Sequence, residues 1–309
     1  MLKFQPFSIN KKSLLDKFFS AYGDGSCQHS FVSSFCMFEK YGDHFAIQED
    51  FLFVLRKKRC TEQFRVYLFP FGDMSDSEKV RHAVDSVIED ARSHGCKVRF
   101  ETVTEKAKIF LSENYPEVFS ITELRDVSEY IYDCEKLAAM DGGEYHDRRR
   151  HVRKFLETYK NHWTLEPVNS NNFNEIMNLA EEWLKLKIDD DNKVQLTCEH
   201  SAIEKSLKNW DELGMTGIVL RIDGKVSGFI YGMRLNDDTF NAMILKADKS
   251  KVYISPFLYR SFAELCSKTT KWLNLEEDLG DPGLRQMKIS YRPDHLLNKY
   301  LVEEVDADE

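Results

Sequence analysis

The sequence predicts an α+β chain made of two similarly built units, each a mostly antiparallel sheet flanked by helices. Three observations carry that reading. The chain has 309 residues, enough for two domains of about 150 residues each. Each half shows short strand patterns joined by turns, then one helix, then one further strand. Order and spacing repeat between the halves, which marks a duplicated unit. With 42% hydrophobic and 31% charged residues, the chain can bury sizeable cores.

The elements follow in order. His44–Gln48, Phe51–Lys57 and Gln63–Pro70 are rich in Phe, Val and Leu and read as strands. Gly72-Asp73 breaks the chain, and Asp76–Ser93 carries the helical stripe Val80, Val84, Val87, Ile88 and Ala91. Lys97–Val103 returns as a strand. The boundary is expected between Asp141-Gly142-Gly143 and Asn169-Ser170 and is drawn at 143, giving units 1–143 and 144–309. Glu144–Tyr159 reads as a basic helix. Asn172–Lys187 and Glu199–Leu213 add two helices, separated by Asp189-Asp190-Asp191-Asn192, a solvated acidic loop without the calcium-loop pattern. Asp223-Gly224 is a hairpin turn between Gly217–Ile222 and Val226–Leu235. Thr239–Leu245 follows as a strand, Pro256–Lys268 as a helix and Lys271–Glu276 as the returning strand. The tail Val302–Glu309, with five acids in eight residues, reads as frayed.

Composition narrows the function. The 43 Lys plus Arg against 52 Asp plus Glu leave a net charge of −9, which argues against a protein that coats nucleic acid. Seven cysteines without C-x-x-C fit a reducing, cytoplasmic setting, and no histidine pattern suggests a metal. No apolar run approaches the roughly 20 residues of a membrane span. Walker and Rossmann glycine patterns are missing, so nucleotide hydrolysis and hydride transfer fall away.

Three places can carry chemistry. In the basic helix, Arg148 and Arg149 fall in the apolar stripe of Tyr145, Val152, Phe155, Leu156 and Tyr159, with Arg150 and Arg153 opposite. Arginines on such a face either pair with acids in an interface or bind phosphate or carboxylate. In Lys271–Tyr291, alternation sets Leu273 and Leu275 on one strand face and Asn274 and Glu276 on the other. Glu276, Glu277 and Asp278 either cap the turn or hold an amine and take its proton. Asp281-Pro282 starts a helix on which Arg285 and Lys288 can face one anion. Finally, Lys246 ends a strand, and Tyr253, Ile254, Ser255, Pro256 and Phe257 open a helix whose N–H groups form a generic anion site.

The stretches GGEYHDRRRHVRKF, ILKADK…ISPFLYRSFAEL and NLEEDLGDPGLRQMKISYRP, with HSFVSSFCMF, DFLFV and YLFPFGD earlier, resemble the bacterial phosphatidylglycerol lysyltransferase C-terminal-like family over nearly the whole chain. That resemblance implies two GCN5-related N-acetyltransferase-like units. It also implies transfer of an acyl or aminoacyl group to an amine or hydroxyl, from acyl-CoA or aminoacyl-tRNA. Two stretches depart from the family pattern: Arg148-Arg149-Arg150 replaces its usual Lys-Arg-Asn, and Leu275 its usual Arg. On this reading coenzyme A or an acyl-CoA is the donor, its pyrophosphate near Tyr253–Phe257 with Lys246 adding a contact. Glu276 or Glu277 takes the acceptor's proton, and Tyr291 returns one to the leaving group. Arg148, Arg149, Asn274, Asp278, Arg285 and Lys288 bind substrate. The net charge favours CoA over tRNA. The alternatives are an aminoacyl-tRNA-dependent transferase acting on a lipid or peptide, and a non-catalytic binder of an acidic small molecule or peptide. The expected partners are a small-molecule donor and acceptor, or an aminoacyl-tRNA, with no integral membrane association.

Overall fold

A computed structural model describes residues 2–189 and 192–306. Strands in chain order are β1 (Gln5–Pro6), β2 (Asp43–Gln48), β3 (Phe51–Arg56), β4 (Phe64–Tyr67), β5 (Lys97–Val103), β6 (Phe119–Glu123), β7 (Glu129–Asp133), β8 (Trp163–Pro167), β9 (Met215–Ile222), β10 (Lys225–Arg234), β11 (Thr239–Ala247), β12 (Trp272–Asn274), β13 (His295–Leu297) and β14 (Tyr300–Glu304). They form two seven-stranded sheets, ordered β1-β2-β3-β4-β5-β14-β6 and β13-β7-β12-β11-β10-β9-β8.

The repeat is present. In each unit an antiparallel meander ends in a strand that passes through one helix into a parallel neighbour: β4 through Ser77–Ser93 into β5, and β11 through Ile254–Cys266 into β12. Parallel pairing needs such a crossover, and the apolar stripe of each helix supplies the cover for its sheet. Val80, Val84, Val87 and Ile88 pack on Val98 and Phe100 in the first unit. Phe257, Leu258 and Phe262 pack with Ile230, Leu273 and Leu275 in the second.

The division of the chain differs from the one expected at 143. Unit one is Met1–Glu129 plus Leu297–Glu309, and unit two is Tyr130–Leu296. Two pairings explain this. β7 lies before the expected boundary yet pairs with β12. β14, in the tail read as frayed, lies between β5 and β6 with Val302 fully buried. In that tail Val302 and Val305 stand three apart among five acids, which gave no strand alternation to read. Residues 307–309 of that tail, and Asp190 and Asp191 of the acidic loop, lie outside the described residues. Among the described residues no helix is long and apolar enough to cross a membrane.

Candidate active site at the divergence of two parallel strands

β12 meets β11 only at Thr239–Asn241, and the last rung joins Asn241 to Asn274. Beyond it β11 runs on to Ala247 without β12. The backbone groups on that edge therefore have no strand partner from β12, which leaves polar atoms free to meet a ligand. A bulge helps β11 diverge: its register with β10 slips between Tyr231 and Met233. Gly232 sits at the slip, where a Cβ would come within 1.7 Å of the Asn241 carbonyl oxygen. Gly232→Ala must push that strand away. The expected cost is about 1–3 kcal/mol in a denaturant melt, and an unchanged midpoint would show that the bulge yields freely.

Both asparagines are fully buried. Asn241 Nδ2 donates to Glu276 Oε1 at 2.8 Å, and the Glu276 N–H donates to Asn274 Oδ1 at 2.7 Å. Asn241 Oδ1 is buried without a hydrogen-bond partner. Glu276 itself is half-buried and left-handed, with φ 62°. A non-glycine residue there stores strain that its surroundings must outweigh.

What outweighs it is a tight support behind the loop. Asp278 is fully buried and accepts from Tyr130 Oη at 2.6 Å, from Arg285 Nε at 2.9 Å and Nη2 at 2.8 Å, and from the Gly280 N–H at 2.9 Å. Burial pushes its carboxyl pKa up, but Arg285, Tyr130 and Gly280 outweigh that and hold it well below the usual carboxylate range. Lys288 is buried and donates to the Leu275 carbonyl at 2.6 Å and to the Glu277 carbonyl. Asp281 caps its helix as expected, with Pro282 in the first turn. Arg285 and Lys288 therefore do not face one anion: the loop that presents Glu276 takes up both. Glu277 is half-buried beside it.

Tyr291 is buried, and burial pushes its hydroxyl up to about 12 while Arg148 pulls the other way. The Arg148 guanidinium lies 5.3 Å from the Tyr291 ring centre, and its Nε is buried with no hydrogen-bond partner. Tyr259, partly exposed, packs edge-on against Tyr291 with ring centres 5.2 Å apart. Burial, then Tyr291, then the Glu276 charge push its hydroxyl upward. Tyr259 and Asn241 were not singled out from the sequence. The signal for Asn241 was a lone amide in an apolar strand; Tyr259 gave none.

The basic helix spans His146–Thr158 and departs from its expected faces. Arg149 is exposed, and its guanidinium donates to the carbonyls of Met140 and Gly142, the latter at 2.8 Å. Length and a pivot at the helix edge carry it out of the apolar stripe. Arg149, Arg150, Arg153, Arg260 and His146 line one pocket of about 340 Å³ over Val152 and Leu156, and among the described residues no acid lines it. Arg260 spends only Nε, on the Ala138 carbonyl at 3.0 Å.

The residues expected around a pyrophosphate are divided. The helix opens at Ile254 after Tyr253, which is left-handed (φ 63°) and makes no side-chain cap. Pro256 has no N–H to offer. Phe257 is core, its ring centre 4.1 Å from that of Phe155, and Ile254 is buried in the same cluster. Ser255 is partly exposed. Lys246 pairs in register with Phe229, and its amine sits 3.6 Å from the Trp183 ring centre with Glu199 as ion partner. It thus lies on the sheet face covered by Phe173–Lys187, away from the Ile254–Cys266 helix, and adds nothing to that helix start. Among the described residues no three His, Cys, Asp or Glu side chains are placed to share a metal.

Residues 20–303 match the family described as phosphatidylglycerol lysyltransferase, C-terminal. No curated protein matches in sequence. A conserved protein of unknown function from Bacteroides thetaiotaomicron is 28% identical, with TM-score 0.91 over 99% of this chain and 100% of its own. The C-terminal domain of a putative lysylphosphatidylglycerol synthetase from Agrobacterium fabrum is 14% identical, with TM-score 0.68 over 97% and 92%. A tandem GNAT protein from the clavulanic acid biosynthesis pathway shares the fold at 8% identity, with TM-score 0.50 over both whole chains.

Proposed function

The chain belongs to the phosphatidylglycerol lysyltransferase C-terminal family, and from that premise we propose that it moves an aminoacyl group from an RNA-linked ester to an amine or hydroxyl acceptor at the β11–β12 divergence. The observation that carries the donor assignment is the arginine pocket: four guanidinium groups and one imidazole, with no lining acid among the described residues, in a chain of net charge −9. Guanidinium groups grip successive phosphates, and although Arg149 and Arg260 each give donors to backbone carbonyls, their charge is not cancelled by a carboxylate in the pocket lining.

In this reaction Glu276 takes the proton of the acceptor as its nitrogen or oxygen bonds to the ester carbonyl carbon. Asn241 fixes the carboxylate for that transfer, and Asn274 holds the Glu276 backbone N–H. Backbone N–H groups on the free edge of β11 face the oxygen on which negative charge builds. The ester C–O bond then breaks, and the departing ribose oxygen takes the proton of Tyr259, which the Glu276 acid replaces through solvent. Because Tyr291 is buried, this reading sets it behind Tyr259 instead of at the leaving group. The Arg148 guanidinium beside Tyr291 lowers the cost of negative charge on the tyrosine pair.

A second reading keeps an acyl-CoA donor. It is favoured by the uncapped start of the Ile254–Cys266 helix, where Lys154 lies 5.5 Å from the Tyr253 ring centre. Arg150→Glu combined with Arg153→Glu separates the two. With an RNA-linked donor, the Michaelis constant should rise at least tenfold and the salt slope of binding should fall by about 2. With acyl-CoA alone active, both changes would be absent.

A further inference from the structure

Asn241 is a fully buried amide that is used at one end only. Its Nδ2 carries two hydrogens, and both are accepted, by Glu276 Oε1 at 2.8 Å and by Met233 Sδ at 3.9 Å. An ionised carboxylate only accepts, so the amide cannot be turned to present Oδ1 to Glu276. Oδ1 therefore faces elsewhere, and among the described residues no donor reaches it. A buried acceptor left unpaired costs folding free energy, and native proteins rarely keep one without a partner. This one stands at the last rung of the β11–β12 ladder, where the two strands part.

The polar atoms gathered at that rung are of one kind. Asn241 Oδ1 and the Glu276 carboxylate are acceptors, and Asn274 Oδ1 already takes the Glu276 N–H at 2.7 Å. Oδ1 and Nδ2 of Asn241 share one carbon, so a donor seated on Oδ1 is within reach of the carboxylate that Nδ2 holds. The fit is to a group with at least two hydrogens to give, one for Oδ1 and one for Glu276. An amine nitrogen has them, whereas a hydroxyl has one.

We propose that Asn241 Oδ1 selects a primary amine over a hydroxyl as the acceptor of the transferred group. The proposal rests on the transfer reading and narrows its acceptor to one class. The amine arrives as ammonium and loses one proton to solvent. Its lone pair then bonds to the ester carbonyl carbon, with one hydrogen on Oδ1 and the other passing to Glu276. The ester C–O bond breaks, and the ribose oxygen takes the proton of Tyr259. The amide product keeps its one N–H on Oδ1. An alcohol gives its only proton to Glu276, so Oδ1 stays unpaired in the transition state and in the ester product. Sites built to hold an N–H reject the analogue without it for this reason.

Two measurements on the whole chain test the proposal. The first needs no turnover: the assigned Asn241 side-chain amide signals are followed by NMR during titration with n-butylamine, n-butanol and butyltrimethylammonium. Butylamine should move them saturably, at least about tenfold more tightly than the alcohol, with one hydrogen, or the quaternary cation, with charge and none. Signals unmoved by butylamine, or moved equally by n-butanol, would overturn the proposal. The second is transfer from aminoacyl-tRNA to matched acceptors that differ only in bearing an amine or a hydroxyl. The amine-to-hydroxyl ratio of kcat/KM should fall at least about tenfold in Asn241→Leu, because loss of the Glu276 contact slows both acceptors alike. The same ratio in wild type and variant would keep the transfer reading and overturn the selection. Saturable butylamine binding without transfer from any donor would do the reverse, leaving amine recognition at Asn241 in place.

Discussion

Glu276→Gln should lower transfer by about 10²–10⁴-fold and leave the Michaelis constant for donor nearly unchanged. Glutamine keeps the length and can still accept from Asn241 Nδ2, so the loop holds its shape; only the basic oxygen is lost. The left-handed backbone at Glu276 is equally strained in both forms, and the melting temperature should not move. Steady-state kinetics beside a thermal scan reads both. Unchanged turnover would shift the base to Glu277 or remove carboxylate catalysis from this site. A loss carried wholly by the Michaelis constant would make Glu276 a binding residue.

Arg285→Ala should destabilise the chain by about 2–4 kcal/mol. Removing one partner of a buried pair costs about 3–5 kcal/mol, and the value is discounted because Arg285 is one-third exposed while Asp278 is fully buried. Acidity supplies the internal check. The folded state holds Asp278 below its unfolded pKa, so the carboxylate's contribution is present above the ordinary carboxylate range and is lost as pH falls through the folded value. The gap between wild type and Arg285→Ala in denaturant midpoint should therefore narrow as the solution is made strongly acidic. Asp278→Asn added to Arg285→Ala should recover part of the loss at neutral pH, since it removes the stranded charge. A constant gap at every pH would mean that Arg285 acts through packing alone.

The meanders, both crossover helices and the returning strands were legible because each carries a clean period and a turn signal, as Asp223-Gly224 does. β7 and β14 were not. Each is a five-residue strand whose pairing partners are remote in sequence, and its Tyr, Ile and Val content alone, with no adjoining hairpin turn, does not show which sheet it joins. At the site, alternation was read over Lys271–Glu276, but the strand ends at Asn274 and Glu276 is left-handed, so the loop and not the pleat sets where Glu276 points. Alternation could not show that Asp278, Arg285 and Lys288 close on one another, because that depends on a loop with φ values of 62° and 54° at Glu276 and Leu279. Charges close in sequence resembled an anion receptor and became its scaffold. The face expected of Arg149 differs for another reason: helical angle fixes where Cβ points, and a long side chain can then leave that face.

The central claim is that unit two moves an activated aminoacyl group with Glu276 as the base. Its most direct test follows labelled amino acid leaving aminoacyl-tRNA in the presence of a panel of amines and hydroxyl-bearing lipids, with acyl-CoA assayed alongside. We expect label to pass from tRNA to an acceptor with wild-type protein and to fall by about 10²–10⁴-fold with Glu276→Gln. Acceptor-dependent transfer that proceeds equally in the variant, or none from either donor, would contradict it.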